Sequence, residues 1–165
     1  MPLLVYAGFV IANTGRKVTY YHWDRDKAKA IKLKCFGRKV ELQEDEQIQS
    51  KSKEYVVCIS TSYEIDKKLV KKQFSNFNIK LFKTANIGYN SITTQKDVVV
   101  VADSVRKIIA GLPSDSSVHL LLACSSELCF AIGQRLNSPA LPKIKVYSFG
   151  KNKTGEQLWD WNVEL

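Results

Sequence analysis

The stretch VHLLLACSSELCFAIGQRLN, residues 118–137, decides the fold class. Residues 118–123 form an apolar run with no alternation, the pattern of a strand covered on both faces. Ser125, Ser126 and Glu127 then open a helix that runs to about Asn137. The same order occurs upstream, where YVVCI (55–59) reads as a strand and is followed by Ser60, Thr61 and Ser62. A helix is expected over about 63–74, with Ile65, Leu69, Val70 and Phe74 on one face and Lys67, Lys68, Lys71 and Lys72 on the other. Thr61 and Glu64 have the spacing of a capping box at its start.

Working outward, residues 79–82 read as a strand and 86–91 as a turn-rich loop containing Gly88 and Asn90. Four consecutive valines from Val98 favour β structure locally. Over a longer window Val98, Val101, Ala102, Val105, Ile108, Ile109 and Leu112 keep helical spacing, and Gly111 and Pro113 close that helix. Residues 145–149 form a strand and 158–165 a final one. Strands alternating with helices imply right-handed crossovers. The chain is therefore read as an α/β protein, a Rossmann-like, mainly parallel sheet flanked by helices.

Before residue 55 the pattern is less regular. LLVYAGFVIAN (3–13) reads as a buried helix, with Pro2 in its first turn and Gly15 as a stop signal. VTYYHW (18–23) reads as a strand. Residues 30–35 and 38–42 suggest a short hairpin around Phe36 and Gly37. QEDEQIQSKSK (43–53) has no apolar periodicity and reads as a linker, which divides the chain into units 1–54 and 55–165. Leu4-Val5-Tyr6-Ala7, followed by Asn13, matches Leu128-Cys129-Phe130-Ala131, followed by Asn137, at one offset. This is either a duplicated Rossmann-like unit whose first copy lacks its opening half, or coincidence among helical apolar residues.

The 165 residues are 45% hydrophobic and 25% charged, the composition of a soluble globular protein, and no apolar run is long enough to span a membrane. Lysines and arginines number 25 against 16 acids, a formal charge of +9. Such an excess suits a nucleic acid, a nucleotide or an acidic surface, or else is a lysine-rich solvated face. Cys35, Cys58, Cys124 and Cys129 form no CxxC pair, which points to a reducing cytoplasm.

The motifs argue against most enzyme classes. There is no GxxxxGK[ST], no GxGxxG after a strand and no GxSxG. His22 and His119 have no partner at metal-ligand spacing, so no metal site and no cofactor are expected, and His119 reads as a hydrogen-bonded core residue. The positive signal lies at strand ends, where open α/β sheets bind ligands. Ser60-Thr61-Ser62 and Ser125-Ser126 each place hydroxyls and free backbone N–H groups at an expected helix start, an arrangement that suits phosphate. Plain N-capping is the alternative at each. Trp23 and Arg25 close another strand, offering a stacking face and a phosphate partner, or a packed indole and a surface ion pair. Tyr89 reaches over the same edge as a base-stacking candidate or an ordinary loop residue. Trp159 and Trp161 alternate along the last strand as packing or interface residues.

HLLLACSSELCFAIGQRLN, followed by KIKVYSF and an aromatic-rich last strand, resembles the C-terminal half of SAVED domains. MPLLVYAGFVIANTG with VTYYHWDRD is similar to an earlier helix–strand segment of that family, and YVVCISTS to the opening strand of its second CARF-like unit. The resemblance implies two fused CARF-like Rossmann units that bind a cyclic oligonucleotide second messenger in bacterial anti-phage defence. It further implies a partner effector of nuclease, TIR or protease type and assembly into homo-oligomers. Ser60, Thr61 and Ser62 match the loop after the second unit's first strand. Cys124, Ser125 and Ser126 match the loop after a later strand, and Asp24 and Arg25 the end of the first unit's strand. The expected function is a non-enzymatic binding module for a cyclic di- or trinucleotide. A ring nuclease of CARF type that degrades such messengers is the alternative, and a basic nucleic-acid-binding domain ranks behind both.

Overall fold

The computed structural model describes residues 1–14, 16, 18–24, 29–34, 40–151 and 155–165, with the backbone alone at residues 13 and 22–24. A six-stranded sheet forms the centre, in the order β3 (Leu42–Ile48), β5 (Asn78–Thr84), β4 (Glu54–Ser60), β6 (Ser117–Ala123), β7 (Lys143–Lys151), β8 (Gln157–Glu164). The four inner strands are parallel, and β3 and β8 run antiparallel along the two edges. Helix α2 (Lys67–Gln73) contributes Val70, and the segment after it Phe74, to one face. Helices α3 (Gln95–Ala110) and α4 (Ser126–Leu136) cover the other. The expected alternation of strands and helices is thus borne out, with an antiparallel strand on each flank.

The inner strands show why this order forms. Val56, Val57, Cys58 and Ile59 of β4, and Leu120 and Leu121 of β6, are wholly buried, alternately against the two helical layers. Full burial of one such side chain contributes about 1.5–3 kcal/mol, so a register slip of one residue would cost several. Because β5 lies on one side of β4 and β6 on the other, the chain reverses its winding direction between β4 and β6. In open sheets of this kind ligands bind beside such a reversal, outside the strands' carboxyl ends.

Helix α1 (Pro2–Ile11), extended by a 3-10 turn at Ala12–Thr14, lies parallel to α4. Met1 Sδ is 3.6 Å from Cys129 Sγ, and Asn137 Nδ2 donates to Phe9 O at 2.6 Å. The two backbones meet at glycines. A Cβ on Gly8 would lie 2.9 Å from the Phe130 carbonyl carbon, and one on Gly133 2.7 Å from that of Val5. The contacts are reciprocal, each glycine facing the residue three before the other. The local symmetry therefore pairs Gly8 with Gly133, one residue out of step with the register that matches Leu4 to Leu128. Nor is α1 the buried helix expected: Val5 and Gly8 are covered, but Leu3, Tyr6 and Val10 are exposed.

Three further expectations are corrected. Residues 43–53 are not a linker, since β3 occupies most of the stretch and pairs with β5. Its side chains are polar because the strand is an edge, held by backbone bonds and ion pairs instead of burial. Asp45 meets Lys67 at 2.5 Å and Lys83 at 2.6 Å, and Glu46 meets Lys71 at 2.6 Å. Second, the hairpin expected between 30–35 and 38–42 is not what residues 29–32 form, and residues 35–39, Phe36 and Gly37 among them, lie outside the described residues. Strand β2 (Lys29–Lys32) pairs antiparallel with β1 (Tyr21–Asp24) as a separate two-stranded ribbon. Third, α2 starts four residues later than expected. Its cap is Asp66, which accepts from Lys68 N and Leu69 N, not the Thr61–Glu64 box. His119 is buried as expected, with Nδ1 2.9 Å from the Tyr147 hydroxyl and Nε2 2.5 Å from Glu54 Oε2.

Candidate functional site

Ser60 ends β4 directly beside Ala123, which ends β6, so the two hydroxyl-bearing loops share one rim. They are joined by backbone bonds. Ala123 O accepts from Thr61 N at 3.1 Å, Ser62 N at 2.9 Å and Tyr63 N at 3.4 Å. Those amides are consequently committed, and the first loop is a turn folded onto β6 instead of a helix start offering free N–H groups. Ser60 Oγ is also engaged, accepting from Ile65 N at 3.2 Å. The loop after β5 joins the rim through Gly88 N, which donates to Thr61 O at 2.8 Å. Gly88 has a φ of +153°, a backbone angle that side chains disfavour.

The second loop does leave a helix start open. Ser125 occupies the N-cap of α4, yet its side chain makes no capping bond. The contrast is within the molecule: Thr94 and Asp97 form a reciprocal capping box on α3, and Asp66 caps α2. Ser125 Oγ and Thr61 Oγ1 are both buried with no hydrogen-bond partner. A buried hydroxyl without a partner costs about 1–3 kcal/mol, and here two stand on adjacent loops. Ser126 is exposed beside them, and Cys124 is buried with Sγ donating to Ile59 O at 3.5 Å. A hydrogen bond with Cys124, and after it burial, hold the Cys129 thiol well above its ordinary range.

The remaining candidates divide. Tyr89 is exposed on the loop after β5, and its ring meets that of Tyr63 edge-on with centroids 5.3 Å apart and the hydroxyls in contact. Tyr63 was not singled out from the sequence; an aromatic directly after a strand-end turn is the signal that could have found it. Trp23 stands opposite Ala30 in the ribbon, and Arg25 lies outside the described residues. Trp159 is buried in the sheet and Trp161 exposed. Nine of the 25 lysines and arginines, and only two of the 16 acids, fall between residues 16 and 39. The rim carries Glu64, Asp66 and Glu127, with Lys67 and Lys68 beside the first two.

Beside Ser125 a cavity of about 480 Å³ opens over the ends of β6, β7 and β8. Its apolar walls come from Met1, Ile65, Leu122, Phe149 and Trp159, and its polar groups from Glu64, Asp66 and Gln157. Among the described residues no cluster of His, Cys, Asp and Glu could hold a metal ion, and no helix is long and apolar enough to cross a membrane.

An open, largely parallel α/β sheet flanked by helices defines a fold of Rossmann type, the class whose ligands bind at the strands' carboxyl ends. Residues 1–164 match the SAVED family model, described as the SMODS-associated and fused to various effectors sensor domain, and the chain belongs to that family. It is similar in fold to the Acinetobacter baumannii Cap4 SAVED/CARF-domain containing receptor with the cyclic trinucleotide 2'3'3'-cAAA. The TM-score is 0.66 at 14% identity, over 99% of this chain and 36% of the receptor. The Moraxella osloensis Cap4 receptor gives 0.62 at 15% identity, over 98% and 34%. The chain thus spans about a third of the length of these receptors. No curated protein matches by sequence.

Proposed function

We propose that this SAVED domain binds a cyclic di- or trinucleotide second messenger at the rim between β4 and β6, and that occupancy controls an effector of nuclease, TIR or protease type. The observation that carries the reading is the uncapped start of α4, where Ser125 Oγ and Thr61 Oγ1 are buried without partners. A phosphate at that point would accept from both hydroxyls and from first-turn amides at the positive end of the helix dipole. The Cap4 receptor described with cyclic trinucleotides, similar in fold, supports the ligand class. A cytoplasmic setting is supported by the free, buried Cys58, Cys124 and Cys129.

We further propose that residues 1–54 belong to a first CARF-like unit and 55–165 to the second, with β3 lent to the second unit's sheet. The reciprocal glycine contact supports this, because two like helices meeting about a local two-fold are what fused copies would produce. Calorimetric titration with a panel of cyclic di- and trinucleotides tests the ligand. Micromolar or tighter binding of one member is expected, and Ser125→Asp, whose carboxylate repels phosphate, abolishes it while the melting temperature stays within a few degrees. No binding of any member at about 100 µM, a limit of about 5.5 kcal/mol, refutes the proposal.

A further inference from the structure

The cavity over β6, β7 and β8 has a chemistry unlike that of the rim beside it. No lysine or arginine side chain lines it among the described residues, whereas Glu64, Asp66 and Met1 do. Its walls are flat and apolar: Phe149 is 48% exposed and its ring centroid lies 5.1 Å from that of Trp159. Trp159 is only 5% exposed, lines the cavity, and has an indole Nε1 buried with no acceptor in the protein. The fitting occupant is planar, uncharged and rich in N–H donors, with at least one ring acceptor.

We infer that this cavity is a nucleobase pocket selective for bases carrying an amino group, with Phe149 as the stacking wall and Glu64 as the acceptor that reads the amino edge. The inference rests on the cyclic-oligonucleotide reading and assigns the part of the messenger that leaves the Ser125–Thr61 rim. Asp66 is already engaged by Lys68 N and Leu69 N, which leaves Glu64 as the freer carboxylate. Adenine, cytosine and guanine each present an exocyclic amine to a carboxylate. Uracil presents a single N–H flanked by two carbonyl oxygens, which meet the carboxylate's like charge. A base stacked on an aromatic side chain gains enough that truncating the ring is readily measured.

The test titrates the full chain with the ring size that the panel selects, in all-adenosine and all-uridine forms. The wild type is expected to favour the adenosine ring by about tenfold or more, the scale of one charge-assisted hydrogen bond. Phe149→Ala should weaken that ring by about tenfold, and Glu64→Gln should shrink the adenosine-to-uridine preference while leaving affinity for the uridine ring unchanged or higher. Both side chains are exposed, so melting temperatures should match the wild type, and a variant that melts early is replaced by Phe149→Leu. Equal affinity for the two rings, or wild-type binding by both variants, overturns the pocket while the rim reading survives. Failure of the wild type to bind any ring defeats both.

Discussion

Substituting Gly133 by alanine tests the helix contact that organises one half of the molecule. In an exposed helix the change would stabilise by up to about 1 kcal/mol, since glycine is the poorer helix former. Here the new Cβ would stand 2.7 Å from the Val5 carbonyl carbon, whereas ordinary contact begins at 3.4 Å. Helix backbone has no rotamer to change, so α1 and α4 must part by at least about 0.7 Å. A gap of that order forfeits roughly a quarter to a half of each contact's dispersion energy. Overpacking of this kind costs about 1–3 kcal/mol, and its rigid neighbour puts Gly133→Ala at the upper end, about 2–3 kcal/mol net. For a chain of this size the melting temperature should fall by about 4–12 °C. Gly111→Ala is the internal control, because its Cβ would meet Lys107 O at an ordinary 3.4 Å with φ at −81°. Gly8→Ala should resemble Gly133→Ala, and the double variant should cost less than the sum, as the helices part only once. Thermal and urea melts followed by circular dichroism decide the matter. A Gly133→Ala protein as stable as the wild type, or more so, would refute the backbone contact.

Thr61→Val removes a buried hydroxyl without a partner, so stability should hold or rise by up to about 1 kcal/mol while messenger affinity in calorimetry drops about tenfold; loss of stability with affinity intact would contradict the site. Hydrogen bonds from Lys67 and Lys83 hold the Asp45 carboxyl below its ordinary 3.8. A depressed carboxyl adds stability above its unfolded pKa and loses it as pH falls through the folded one. Amide exchange over residues 42–48, corrected for its intrinsic pH dependence, should therefore speed up below about pH 4 relative to 54–60, and Asp45→Asn should erase that difference. His119→Ala strands the Tyr147 hydroxyl and opens a void beside Phe74 and Phe77, whose rings lie 5.9 and 4.9 Å away. A destabilisation of about 2–4 kcal/mol in urea melts is expected.

The parallel centre was legible because burial on both faces writes itself as unbroken apolar runs, and β4 and β6 carry them. Strand β3 was not, because an edge strand tied by Asp45 and Glu46 to lysines of α2 and β5 has no apolar period to detect. At the site, hydroxyl residues at two strand ends were visible, and they do share a rim. What the sequence could not show is that Ala123 O captures three amides of the first loop, which moves the start of α2 to Asp66. Nor could it separate the two sets of hydroxyls. Ser60 is spent on Ile65 N, whereas Ser125 and Thr61 are not spent at all, a distinction made only by tertiary contacts. The exposed side of α1 was hidden for a similar reason: a helix that is apolar on every face does not say which face is covered.

The glycine seam between α1 and α4 has a mechanical consequence. Side chains can yield by rotating, but two main chains in direct touch leave no slack between them. A tilt or slide of α4, whose first turn borders the Ser125 rim, must therefore carry α1 with it as a single rod pair. Any displacement of α4 is thereby passed to residues 2–11, on the side of the molecule where Leu3, Tyr6 and Val10 face outward.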